Sequence, residues 1–153
     1  MEMSKIALDF NTEHHQFFLK DKGYLVKDSE NLWNDKAHKD RLAVRSGFLS
    51  IGTSCYGALK GEIVLLNEKN KSADFARYDH VVEASIFCKS GTLEIIPCMS
   101  NVPEVSVNVS QGSYRVRVYS SGLNSVLEDE GDDFYRIEIW EEPFAEHKVL
   151  KYL

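Results

Sequence analysis

No stretch of this chain approaches the roughly 18 consecutive apolar residues that a membrane-spanning helix needs, so it holds no helical membrane anchor. Cysteine is scarce and odd in number: Cys55, Cys88 and Cys98, without the paired spacing of a metal site. Cys88 and Cys98 flank a predicted hairpin and could lie near each other. Residues 1–10 mix acids and bases among a few apolar side chains and read as a first strand, not as a secretion signal. Reduced, partly buried thiols and a cytoplasmic location are therefore expected. Basic excess is missing too. Lys and Arg number 18 against 24 Asp and Glu, for a net charge of −6. Binding of nucleic acid through its phosphates needs a basic face, so it is disfavoured.

Catalytic signatures are equally thin. No HExxH, no CxxC pair, no P-loop and no nucleophile elbow occurs. Gly52, Gly57 and Gly61 lack the Lys-Ser/Thr of a phosphate loop and read as an inter-strand connection. His14 and His15 are adjacent, and on a strand they would point to opposite faces, a poor arrangement for a shared metal. No cofactor, no metal and no enzymatic activity are expected. An enzyme assembled from distant residues such as His15, His80 and Glu83 stays open.

What is present is period-two alternation. Val105, Val107 and Val109 share one strand face; Tyr114, Val116 and Val118 share another after Gln111-Gly112. Two such runs around a glycine turn predict a hairpin. In a later strand Tyr135, Ile137 and Ile139 form one face, and Phe134, Arg136, Glu138 and Trp140 the other. Residues 63–66, 81–87, 5–10 and 14–20 are further strand candidates. Residues 67–74 and 123–133 read as polar loops. Only residues 34–44 look helical: Asn34 and Asp35 can cap the first turn, and Gly47 can take the backbone angles that end the helical stretch. At 153 residues the chain reads as one domain, 1–153, large enough to bury roughly two-thirds of its unfolded surface. The expected fold is mainly β: an antiparallel, jelly-roll-like β-sandwich with one short helix.

The acids are unevenly placed. Residues 123–153 hold nine acids and three bases, while residues 1–122 balance, so the whole excess is C-terminal. Glu128, Asp129, Glu130, Asp132 and Asp133 fall within six positions. Calcium is one reading, although the spacing does not fit an EF-hand loop; a solvated loop is another. A third is protein binding, since such a loop can imitate a phosphate backbone and steer a basic partner. Trp140 shares a strand face with Arg136 and Glu138 and reads either as a partly exposed ring, an interface anchor or a sugar-stacking platform, or as a core residue. Trp33, just before the helix cap, reads as a staple or core residue.

One cassette carries a resemblance. Trp33-x-Asp35-x-Ala37, then Ala43, then Gly47 with Ser50, resembles the competence protein J family of nuclease inhibitors, also called Nin. Support is spread along the chain. His15-Gln16-Phe17 resembles the family's early strand. Residues 78–87 with Gly91-x-Leu93-x-Ile95 resemble its mid-chain hairpin, Gln111-Gly112-Ser113-Tyr114 its late turn, and residues 135–140 its closing strand. Residues 101–104 and the tail after Pro143 have no counterpart. The resemblance implies a non-catalytic inhibitor or immunity-type protein that blocks a nuclease or toxin. Its basic partner would meet Glu128, Asp129, Glu130, Asp132, Asp133, Glu138 and Trp140. The alternative is a carbohydrate- or small-ligand-binding β-sandwich using Trp140, Tyr119 and Tyr56.

Overall fold

The computed structural model describes residues 2–26 and 31–153. Eleven strands form among these residues: β1 (Glu2–Thr12), β2 (Gln16–Asp21), β3 (Leu42–Arg45), β4 (Phe48–Gly52), β5 (Gly57–Leu66), β6 (His80–Cys88), β7 (Thr92–Pro97), β8 (Val105–Asn108), β9 (Gly112–Ser121), β10 (Phe134–Glu141) and β11 (Lys148–Lys151). They make a six-stranded sheet, β1-β5-β10-β9-β6-β11, and a five-stranded sheet, β3-β4-β2-β7-β8. The expected mainly-β sandwich is what forms. All pairings are antiparallel except that of β10 with β5, which is parallel from Tyr135 opposite Gly61 to Ile139 opposite Leu65. At that crossing Gly61 is required: a Cβ there would meet the Tyr135 carbonyl oxygen.

The two inner faces make the main core. Phe17, Leu19, Leu49, Ile51, Leu93 and Ile95 of the smaller sheet pack against Ile63, Val82, Val116, Val118, Tyr135 and Ile137 of the larger. The expected Tyr135, Ile137, Ile139 face is the buried one. The Phe17 and Tyr135 rings meet edge to face across the sheets, 6.3 Å between centroids.

Four expectations are corrected. Val105–Asn108 and Gly112–Ser121 do not form a hairpin: β8 pairs with β7, and β9 pairs with β6 and β10. The Gln111-Gly112 turn crosses from one sheet to the other, which period-two patterning cannot distinguish from a hairpin. Cys88 and Cys98, likewise, flank no hairpin: Cys88 ends β6 and Cys98 follows β7, strands of different sheets. The helix is short, α1 (Asp35–Asp40), with Asn34 capping the Ala37 amide at 2.9 Å as expected. It ends at Arg41 in the left-handed conformation (φ 58°), and residues 42–44 are strand. Gly47 has no positive φ; it is needed because a Cβ would lie 2.6 Å from the Tyr24 ring. The three cysteines are free and buried.

The outer face of the six-stranded sheet is also buried, and this corrects the reading of Glu138 and Trp140. Glu138 is 0% exposed and Trp140 2%. Register explains it. Arg117 of β9 lies opposite Glu138 of β10 on one side and Glu83 of β6 on the other, and Arg136 lies opposite Glu62 of β5. Arg117 Nε donates to Glu83 at 2.6 Å, Arg115 Nε to the same carboxylate at 3.0 Å, and Arg136 Nη2 to Glu138 at 2.9 Å. The Arg117 guanidinium also sits 5.2 Å from the Trp140 ring centre. Two segments close over this layer. Asn70, in the expected polar loop, accepts from Arg117 through its carbonyl and donates to Glu138. Ala145 and Glu146 carbonyls accept from Arg115. The tail after Pro143 then adds β11 to the edge of β6, and Tyr152 donates to buried Asp40 at 3.1 Å.

Removing one member of a buried, hydrogen-bonded charge set leaves its partners uncompensated, which costs about 3–5 kcal/mol. Arg117→Met is therefore expected to lower the free energy of unfolding in urea by that amount, with Arg117→Lys intermediate. The pH response has a definite sign. Burial raises the Glu83 carboxyl, but the hydrogen bonds from Arg115 and Arg117 outweigh it and hold the group below its ordinary value. Such a group stabilises the fold above the unfolded value, about 4.3 for Glu, and its contribution is lost as pH falls through and below it. The thermal midpoint should fall more between pH 6 and pH 3 for the wild type than for Glu83→Gln.

Candidate functional site

One end of the sandwich gathers three connections and α1. The β1–β2 turn passes through His14 and His15, both left-handed (φ 57° and 55°). They do not lie on a strand, as expected, but in this turn, and both pack edgewise on Tyr56, 6.0 and 5.3 Å between ring centres. The β4–β5 connection supplies Tyr56, whose amide donates to the Asp129 carbonyl at 2.8 Å; Thr53 donates to the His15 carbonyl at 2.8 Å. The acidic connection before β10 is thus stitched to the other two through backbone bonds.

Within that connection Leu127 and Glu130 form an isolated antiparallel bridge, with Glu128 left-handed (φ 59°) at its tip. Glu128, Asp129, Glu130 and Asp132 are exposed, and none has an ion-pair partner among the described residues. Leu127 stands among them 80% exposed. Asp133 differs: it is buried and accepts from the Cys55 amide at 3.0 Å and from the Tyr135 hydroxyl at 2.6 Å. That hydroxyl in turn accepts from the Ser54 amide at 2.7 Å. Of the seven predicted partner-binding residues, four therefore face solvent together, while Asp133, Glu138 and Trp140 are interior. Leu127, which the sequence reading passed over, is the exposed apolar side chain of the acidic connection itself; an isolated Leu in an acidic run carries little signal of its own.

Beside this loop, across Tyr56, lies a cavity of about 420 Å³ lined by His14, His15, His38, Arg41, Trp33 and Thr53, among others. Trp33 donates to Gln16 at 2.8 Å and to Ser50 at 3.1 Å, which fixes the indole, and its ring lies 5.3 Å from that of His38. Gly52 lets the indole approach, since a Cβ there would be 3.2 Å from it. Arg41 donates through Nη2 to Ser54 at 2.8 Å, while its Nε is buried without a partner. Trp33 is half-buried and walls this cavity, so it is more than the core staple expected of it.

The other candidate groups are engaged elsewhere. His80 is buried with Nε2 2.8 Å from the Asp40 carbonyl. Burial, and then the Arg41 charge, outweigh that bond and push its pKa down, so it stays neutral. His80 and Glu83 lie on opposite faces of β6, and His15 is at the end turn, so these three do not assemble. Tyr119 and Trp140 are interior and offer no sugar-stacking platform. Burial, reinforced by the Asp133 carboxylate, pushes the Cys55 thiol up to about 12, which leaves it a poor nucleophile. Among the described residues no group of three or more His, Cys, Asp and Glu side chains is arranged to hold a metal, and no helix is long and apolar enough to cross a membrane.

No protein-family model matches the chain, and no curated protein sequence matches it. Solved structures do. ComJ from Bacillus subtilis, described as the inhibitor of the DNA-degrading activity of NucA, superposes with a TM-score of 0.69 at 20% identity, covering 93% of this chain and 99% of ComJ. A protein described as crocagin biosynthetic gene J superposes with a TM-score of 0.59 at 17% identity, again over 93% of this chain and 99% of its own. The chain has the fold of competence protein J, the family its Trp33, Asp35, Ala37 and Gly47 cassette resembles.

Proposed function

We propose that this protein is a non-catalytic inhibitor that binds and blocks a nuclease. The observation that carries the reading is the match of fold, over nearly the whole of both chains, to a protein that inhibits a DNA-degrading nuclease. The end loop supports it. Four exposed carboxylates, Glu128, Asp129, Glu130 and Asp132, surround exposed Leu127 and have no ion-pair partners among the described residues. A basic groove built for phosphates is the surface such a loop complements. Exposed Leu127 takes the role of apolar anchor for which Trp140 is too deeply buried. The backbone bonds from Tyr56 and the Asp133 carboxylate hold the loop in place before any partner arrives, which lowers the ordering cost of association. A non-catalytic role is supported by the engagement of the reactive groups: Cys55 is a protonated thiol, His80 a buried neutral imidazole, Glu83 a buried ion-pair member. Three free thiols suit the cytoplasm.

The test is DNA degradation by a nuclease recovered on the tagged protein or encoded beside its gene. One equivalent should abolish degradation; unimpeded degradation at molar excess overturns the reading. Combining Glu128→Gln, Asp129→Asn, Glu130→Gln and Asp132→Asn should slow association about tenfold or more at low salt and flatten its salt dependence, because exposed charges act over a Debye length of about 8 Å at physiological salt. The thermal midpoint should be unchanged. Leu127→Ala should raise the dissociation rate with little effect on association. An unchanged association rate in the fourfold variant at low salt removes the loop from the interface.

A further inference from the structure

We infer that the cavity between α1 and the β1–β2 turn is a binding site for a small phosphate monoester carrying a ring-bearing organic part, nucleotide-like in size. Nothing in the inhibitor reading requires this site, and it stands on separate observations. The ionisable side chains lining the cavity among the described residues are His14, His15, His38 and Arg41, all carrying N–H donors, with no Asp or Glu. Such a donor-rich lining suits an oxyanion. Arg41 contributes an Nε that is buried and unpartnered, a donor whose desolvation is uncompensated until an acceptor arrives. The chain around it is fixed: Arg41 is held in a left-handed cap, its carbonyl accepts from Gly52 at 3.0 Å, and Ser54 holds its Nη2.

The number of N–H donors selects the anion. The Arg41 guanidinium and the ring N–H groups of His14, His15 and His38 outnumber the two oxygens of a single carboxylate, whereas a phosphate monoester brings about −1.5 to −2 of charge near neutral pH and three acceptor oxygens. The volume selects the rest. About 420 Å³ lies within the roughly 300–1,000 Å³ of small-molecule sites and exceeds what a bare oxyanion fills. Trp33 supplies the apolar wall, its indole already fixed by Gln16 and Ser50, so a flat ring can lie against it without ordering cost. The three histidines do not form a metal site among the described residues; His14 and His15 pack on Tyr56 and His38 on Trp33, so donors come from two sides.

Calorimetry on the isolated protein, with no nuclease present, tests this with inorganic phosphate, ribose 5-phosphate and AMP. AMP should bind with one-to-one stoichiometry, at least tenfold tighter than inorganic phosphate, and should shift the indole N–H resonance of Trp33 but not that of Trp140. Arg41→Gln should weaken AMP about tenfold or more, the scale of one charge-assisted hydrogen bond. His14→Gln combined with His38→Gln, at exposed positions where folding is undisturbed, should weaken it likewise. Absence of saturable binding overturns the proposal, as does AMP binding no tighter than inorganic phosphate, or AMP binding unchanged in both variants. Inhibition of a nuclease can fail while AMP binds, or the reverse, so the two readings are separable.

Discussion

Arg117 has two carboxylates opposite it, and the rest of the architecture follows from accommodating them. Register places Glu138 on one side and Glu83 on the other, on the outer face of the larger sheet. An outer face of a sandwich ordinarily meets water. Here the salt bridges are 0–3% exposed, which is tolerable only if every lone pair and N–H finds a partner. The loop at Asn70, the stretch at Ala145 and Glu146, and β11 beyond it supply those partners. The sandwich therefore has a third, partial layer, and the tail is part of the fold because the charges beneath it need covering.

That layer separates two kinds of acid that composition lumps together. Glu83, Glu138 and Asp133 are structural carboxylates with assigned donors. Glu128, Asp129, Glu130 and Asp132 are exposed at the sandwich end. The two kinds differ in what they do. Buried pairs fix register and respond to pH; exposed ones act at a distance and respond to salt. The local net charge that a partner would sense is concentrated at one end, because the carboxylates in the middle of the molecule are neutralised by arginines.

The sheet strands were legible because one face of each meets the inter-sheet core: Tyr135, Ile137 and Ile139 alternate as they must. The Asn34 cap was legible for the same kind of local reason. What failed was long-range. Alternation says that Val105–Asn108 and Gly112–Ser121 are strands, but not which sheet each joins, since a sheet-crossing turn and a hairpin turn use the same residues. Trp140 beside Glu138 and Arg136 reads as a solvent face because single residues give no hint that their neighbours across β9 and β5 complete a buried ion network. Residues 42–44 read as helix because they follow a good cap, but Arg41 in a left-handed conformation ends α1 before them. At the site, the acidic run was visible as composition, whereas the basic cavity beside it was not. His14 and His15 lie far in sequence from His38 and Arg41, and the two pairs come together only through the turn at one end of β1 and the helix preceding β3.

The neighbouring carboxylates and N–H donors at this end have a physical consequence for the proposed recognition. The acidic loop and the His- and Arg-lined cavity touch the same tyrosine: Tyr56 binds the Asp129 carbonyl through its amide and packs its ring on His14 and His15. A purely acidic surface would attract any basic protein, and charge alone cannot distinguish among them. An acidic patch beside one that carries Arg41 and imidazole donors imposes an orientation, since a partner turned the wrong way places its own donors against donors. Fixing the two patches to one residue keeps their spacing constant. For a partner bound at this end, as proposed, specificity would come from the geometry between the patches, and the charged residues would set mainly how fast an encounter occurs.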